Sequence, residues 1–268
     1  MINGIIILLY ILVTVSGIFT AFYHDKRLVI TGEIIVVIAI VLQTLFMFIV
    51  YKRIGIFPMT SIKDAVYLFA WSLGIGTILI TVIFKGTTPI LGFSSPIILI
   101  LIVVSILLKR HVHELSPIFN TDIFPIHVFL SIIAYGLFAL SFITSVMYLF
   151  QEKWLKHRRI IWLTKWLPSL FVLDDLDYKT LTIGLPFLTL GILTGALWAD
   201  RAFSHYWTWD PKETWSLIIW LAYVISLHGR ISLGWRGKKF AIVSIVCFLF
   251  VIFGFIGVNF IFKGFHNF

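Results

Sequence analysis

Residues 198–230, WADRAFSHYWTWDPKETWSLIIWLAYVISLHGR, decide how this chain is read. A polar segment crowded with aromatic rings (Phe203, Tyr206, Trp207, Trp209) runs into Asp210-Pro211-Lys212-Glu213 and then into an apolar stretch that ends at His228. Asp followed by Pro, with Glu three positions after the Asp, is a helix start. The Asp caps, the Pro occupies the first helical position, and the Glu reaches back to the cap. With Pro211 to Thr214 counted in its first turn, the helix behind that cap is long enough to cross a bilayer.

Composition extends this reading to the whole chain. Apolar residues make up 60% of the 268 and charged residues 12%, against about 25% charge in a soluble domain. Mean hydropathy is +1.05. Eight apolar runs of bilayer length can be marked, at 4–22, 33–51, 65–84, 92–108, 124–150, 180–198, 213–229 and 240–262. The expected fold is therefore all-α: a polytopic membrane helical bundle, residues 1–268 forming one integral-membrane domain of about eight spans. The N-terminus lacks the positive region of a signal peptide, so the first run is expected to be retained.

Eight spans put both termini on one side, and basic residues set which side. With the N-terminus outside, thirteen of the 21 lysines and arginines fall in cytoplasmic segments, including both strongly basic loops. Both termini and the tryptophan-rich loop, 199–213, are then extracytoplasmic. A net charge of +9 in so apolar a chain marks cytoplasmic loops and lipid contact; no nucleic-acid partner is expected. The longest connection, 151–179, contains KWLKHRRIIWLTKWLPSLF (153–171), with Trp154, Trp162 and Trp166 at near-helical spacing among basic residues. It reads as a cytoplasmic loop with an interfacial helix, or else as a dock for haem or a partner. Cys247 is the one cysteine. It allows no internal disulfide and no CxxC pair, so any thiol chemistry needs thiols from a partner.

The aromatic density around the loop exceeds what a helix cap needs. Trp198, Tyr206, Trp207, Trp209, Trp215 and Trp220 crowd one membrane face. An interfacial aromatic belt gathers such residues too, but belts spread around a protein, whereas these sit in one loop. A flat, polarizable, apolar surface suits a planar macrocycle such as haem b. His127, behind Pro125 at the outer end of the fifth run, and His266, near the C-terminus, share that face. Neutral imidazoles are axial ligands for haem iron; each can equally be an ordinary interfacial histidine. His228 lies about 25 Å along its helix from Pro211, near the cytoplasmic boundary, as a snorkelling side chain or a second, inner haem ligand. A Gly-rich phosphate loop, an HExxH motif and a recognisable Ser or Cys nucleophile are all missing. His111-Val-His113 lacks the carboxylate or thiolate company of a metal site.

The segment from Tyr206 to Arg230 follows, almost throughout, the tryptophan-rich "WWD" pattern WGxYWxWDPKExWxLIxWLxYxxxLHxR. The chain resembles the CcsA (ResC) family of cytochrome c biogenesis proteins, part of a wider haem-handling group with CcmC, CcmF and HemX. GIFPMTSIKDAVYLFAW (55–71) is similar to that family's FPLSNxYESLxFLSW stretch, and GVNFIFKGFHNF (257–268) to its GVNxxxxGxHSY tail. Phe203-Ser204 stands where the family has Trp-Gly.

The resemblance implies a specific chemistry. His127 and His266 match the external histidines before and after the WWD segment and would ligate haem iron at the outer face. His228 matches the histidine proposed to receive haem near the cytoplasm together with a histidine of the partner CcsB (ResB). Trp198, Tyr206, Trp207, Trp209 and Asp210 would form the haem-contacting surface. The implied activity is that of a haem lyase, or holocytochrome c synthetase, subunit. It carries haem outward and presents it to the CxxCH segment of apocytochrome c, in the inner (plasma) membrane of a bacterium. Two rivals remain: a HemX-like regulator of haem synthesis, which the tail histidine argues against, and a haem carrier without attachment activity.

Overall fold

At four of the helices a capping side chain, more than the edge of the apolar run, sets where the helix begins. The computed structural model describes residues 2–23, 25–108, 121–157 and 165–258. It contains α1 (Ile2–Tyr23), α2 (Lys26–Ile54), α3 (Ile62–Ile83), α4 (Pro89–Leu107), α5 (Ile123–His157), α6 (Leu170–Phe203), α7 (Pro211–Ser232) and α8 (Lys238–Ile252). A π-helical turn, Phe253–Gly257, extends α8. All eight helices are long and apolar enough to cross a membrane, and no strand occurs among the described residues. The protein is an all-α, multi-pass membrane protein.

The Asp25 carboxylate accepts the Arg27 N–H at 2.8 Å, so α2 starts well before its apolar run at residue 33. Ser61 caps α3 and Ser169 caps α6 in the same way. α5 and α6 have 35 and 34 residues, about 50 Å each at 1.5 Å per residue, which exceeds a hydrocarbon core of about 30 Å. The connection expected at 151–179 is correspondingly shorter. Residues 151–157 continue α5, helped by the Lys156–Glu152 pair at 2.9 Å, and 170–179 already belong to α6. Trp154 stacks on Phe150 and Trp166 on Phe93, while Trp162 lies outside the described residues.

α5 and α6 form the central pair, with α1–α4 packed to one side and α7 and α8 to the other. Between helices in lipid there is little hydrophobic drive, so close contact and polar bonds decide the packing. Gly184 of α6 supplies the first: a Cβ there would sit 2.7 Å from the Phe138 ring of α5. Asp177 supplies the second. Its buried carboxylate accepts the hydroxyls of Ser141 and Ser145 from α5 and of Ser244 from α8, the last two at 2.6 and 3.0 Å. Trp220 ties α7 to α6 through Thr189 at 2.9 Å.

Alternating helix directions bring the starts of α3, α5 and α7 and the ends of α6 and α8 to one end of the bundle, the loop end. At the opposite, basic end, Arg230 grips Asp174 with two bonds of 2.8 and 2.6 Å and lies over Tyr178 and Phe240. The same carboxylate takes the Gly237 N–H at 2.7 Å, which fixes the α7–α8 turn.

Candidate functional site

The loop end is shaped by the way α6 stops and α7 starts. Ser204 takes the left-handed conformation (φ 60°), and its N–H closes on the Asp200 carbonyl at 2.8 Å. The non-helical link is 204–210, narrower than the expected 199–213, because α6 stays helical to Phe203. Asp210 caps α7 by accepting the Lys212 N–H at 2.9 Å. Glu213 reaches back from the third helical position. Its Oε2 receives the Thr208 N–H at 2.8 Å, the Thr208 hydroxyl at 3.1 Å and the Asp210 N–H at 3.3 Å. One carboxylate thus ties the tryptophan loop to the helix behind it.

Beneath the loop lies a cavity of about 220 Å³ with walls that include Phe124, Trp198, Trp207 and Trp215. Trp198, 2% exposed, is wedged between Phe124 and Phe203, ring centres 5.1 and 5.7 Å away. Trp207 meets Trp209 edge to face at 5.8 Å. The Trp207 indole N–H is buried and has no acceptor among the described residues. A buried donor left over in a cavity wall marks where an acceptor of a bound molecule can sit.

His127 enters from the start of α5. Its Nδ1 lies 2.7 Å from the Gly191 carbonyl of α6. A carbonyl only accepts, so Nδ1 carries a proton, and in the neutral form of the ring the lone pair is then on Nε2. Such a bond from the far nitrogen is how metal-ligating imidazoles are oriented. His127, Trp198, Tyr206 and Trp207 all line the cavity, together with the charged side chains of Lys212 and Glu213.

The other residues singled out in the sequence lie elsewhere. Trp209 is 68% exposed on the outer surface of the loop. Asp210 is buried in the α7 cap and is not part of the cavity wall. His228 is exposed near the basic end, its Nδ1 3.3 Å from the Ser232 hydroxyl. His266, like His24, His111 and His113, falls outside the described residues.

Some of the cavity wall was not singled out from sequence. Phe124, Val128, Ser131 and Tyr135 share the His127 face of α5 by their i, i+3/i+4 spacing, a signal that was there to read. Met59 and Ser61, from the start of α3, carry no local sign that they border the same space.

The chemistry of the wall suits haem. His127 would present Nε2 to the iron, the walls are apolar and aromatic, and the Trp207 indole N–H suits a carboxylate.

Fold and site together define a multi-pass helical membrane protein with a histidine- and tryptophan-lined cavity under a single loop. The family model described as Cytochrome C assembly protein matches residues 2–266, and the chain belongs to that family. Among its relatives is the cytochrome c biogenesis protein CcsA of Chlamydomonas reinhardtii, 33% identical over 233 residues. That match spans 85% of this chain and 65% of the relative's length. CcsA of Trieres chinensis is 30% identical over 266 residues, covering 86% of this chain and 84% of the relative. CcsA of Pyropia yezoensis reaches 50% identity over 96 residues, 36% of this chain and 30% of the relative. Among solved structures, the cytochrome c haem lyase CcmF superposes with a TM-score of 0.66 over 95% of this chain and 45% of its own. At 16% identity the likeness is one of fold.

Proposed function

We propose that this protein acts in cytochrome c biogenesis by holding haem b in the cavity under the tryptophan loop. There it presents the haem for covalent attachment to the CxxCH segment of an apocytochrome c. The observation that carries this reading is His127 in the wall of a tryptophan-lined cavity, its Nδ1 held by the Gly191 carbonyl. His127 and His266 are the residues that would hold the haem iron. Trp198, Tyr206 and Trp207 form the platform, and Trp209, on the outer surface of the loop, backs Trp207 edge to face. Asp210 contributes by fixing the start of α7 beneath the loop.

Haem supplies the vinyl groups; each cysteine thiol adds across one, sulfur to one carbon and hydrogen to the other, with nothing released. The chain's own contribution is position: it holds the ring plane, keeps the edge accessible and excludes alternative orientations. His228, exposed on α7 at the basic end, is the proposed entry ligand, completed by a histidine of a CcsB/ResB-type membrane partner. Arg230, Arg236, Lys238 and Lys239 gather at that end, which supports a cytoplasmic location for it and an extracytoplasmic one for the loop and both termini.

Co-expression with a CcsB-type partner and a CxxCH reporter, in cells lacking their own maturation pathway, tests the reading. Covalent haem on the reporter supports it. Haem bound to the protein without attachment reduces it to carriage, and a colourless purified complex refutes it.

A further inference from the structure

We propose that Gly191 and Gly195 are positioning residues for His127: a notch in α6 whose bare face at Gly195 seats the imidazole, while the Gly191 carbonyl fixes which nitrogen it offers to the cavity. The inference rests on the reading of His127 as a haem ligand.

The two glycines are four residues apart, so they stack on the face that α6 turns toward α5. A Cβ on Gly195 would stand 2.7 Å from both Cε1 and Nδ1 of His127; one on Gly191 would stand 2.6 Å from the Ser131 hydroxyl. Carbon atoms in contact sit about 3.5–4.0 Å apart, so no side chain fits between the ring and the helix backbone. Gly191 contributes its carbonyl as well, the acceptor of the Nδ1 proton at 2.7 Å. Ser131, which fills the space in front of Gly191, donates its hydroxyl to the His127 carbonyl at 2.9 Å and holds the α5 backbone at the same level.

The notch therefore acts through an absence. Alanine at 195 forces the imidazole to turn about its side-chain torsions, because the neighbour in the way is the ring itself. Turning takes Nδ1 off the Gly191 carbonyl, and both the tautomer and the direction of Nε2 are lost. Gly184 is an internal control. Its Cβ would meet Phe138 at the same 2.7 Å, yet neither residue lines the cavity.

The test uses full-length protein in nanodiscs with ¹⁵N-labelled histidine, as wild type, Gly195→Ala, Gly184→Ala, His127→Ala and the His127→Ala/Gly195→Ala double variant. Without haem, the His127 resonances, identified by their loss in His127→Ala, should report a neutral Nδ1-protonated ring in wild type and Gly184→Ala and lose that pattern in Gly195→Ala. With haem, Gly195→Ala should lose the low-spin optical spectrum, and added imidazole should restore it. The double variant should be no worse than His127→Ala, since the substitution at 195 then has no ring to displace. An Nδ1-protonated ring that persists in Gly195→Ala overturns the proposal, as does a further loss in the double variant. If Gly195→Ala gives no folded protein, the double variant decides. Its recovery supports the notch, and its failure to recover overturns it. A displaced ring with an unchanged haem spectrum leaves the notch standing and refutes the ligand role of His127 instead.

Discussion

Replacing Glu213 by alanine should open the tryptophan loop without unfolding the bundle. The Oε2 atom of Glu213 accepts the Thr208 and Asp210 N–H groups, with the Thr208 hydroxyl as a third donor. A hydrogen bond to a charged group contributes roughly 1.5–3 kcal/mol. Here three donors share one oxygen at 2.8, 3.1 and 3.3 Å. We count the shortest at about 2 kcal/mol and the longer two together at about 1. A loss of about 3 kcal/mol multiplies the open population of the loop by about 150 at 1.36 kcal/mol per tenfold. α7 itself should persist, because the Asp210 side chain still receives the Lys212 N–H and Trp220 still bonds Thr189.

Amide hydrogen exchange reads this directly. The Thr208 and Asp210 amides should exchange about 150-fold faster in Glu213→Ala, scaling with the same 3 kcal/mol, while amides in the middle of α6 stay unchanged. Glu213→Gln keeps a neutral acceptor and should fall between, at about fivefold for a loss of about 1 kcal/mol. Since Tyr206 and Trp207 are both loop residues and cavity wall, haem retention should weaken in the same order. Unaltered exchange at Thr208 and Asp210 in Glu213→Ala would refute the account of how the loop is held.

His127→Ala should lower haem retention, with exogenous imidazole restoring a low-spin spectrum on titration. Ser204→Gly should raise thermal stability by about 0.5–1 kcal/mol, because glycine takes the left-handed cap at φ 60° without the Cβ cost; a lower melting temperature would contradict this. Arg230→Met should cost about 3 kcal/mol in denaturant unfolding, since it leaves the half-buried Asp174 carboxylate with the Gly237 N–H and no counter-charge. Replacing Asp174 by asparagine in the same chain should recover part of that loss.

The parts of the fold that depend on local chemistry were legible in the sequence. Apolar runs of bilayer length give the eight spans, and Asp210-Pro-Lys-Glu213 gives the start of α7 together with the box that closes it. Where expectation and structure part, a side chain carries the helix past its apolar run: Asp25 moves α2 forward to Lys26, and the Lys156–Glu152 pair carries α5 to His157. Pairings between distant residues were not legible. Asp174 and Asp177 look alike in LDDLD, yet one faces Arg230 across 56 positions and the other collects hydroxyls from two different helices.

The site divides along the same line. Aromatic rings in one loop announce themselves, because each is present in the sequence and they cluster there. His127 is visible as a histidine at a span boundary, but the atom that orients it is a backbone carbonyl, and what admits it is a missing side chain. Glycine is common in membrane helices, so GILTGALW reads as ordinary span sequence until the α5 imidazole is laid against it. A ligand set can therefore be guessed from the side chains present. Its direction, which decides whether Nε2 or Nδ1 faces the cavity, is set by main chain and by space, and only the packed helices disclose it.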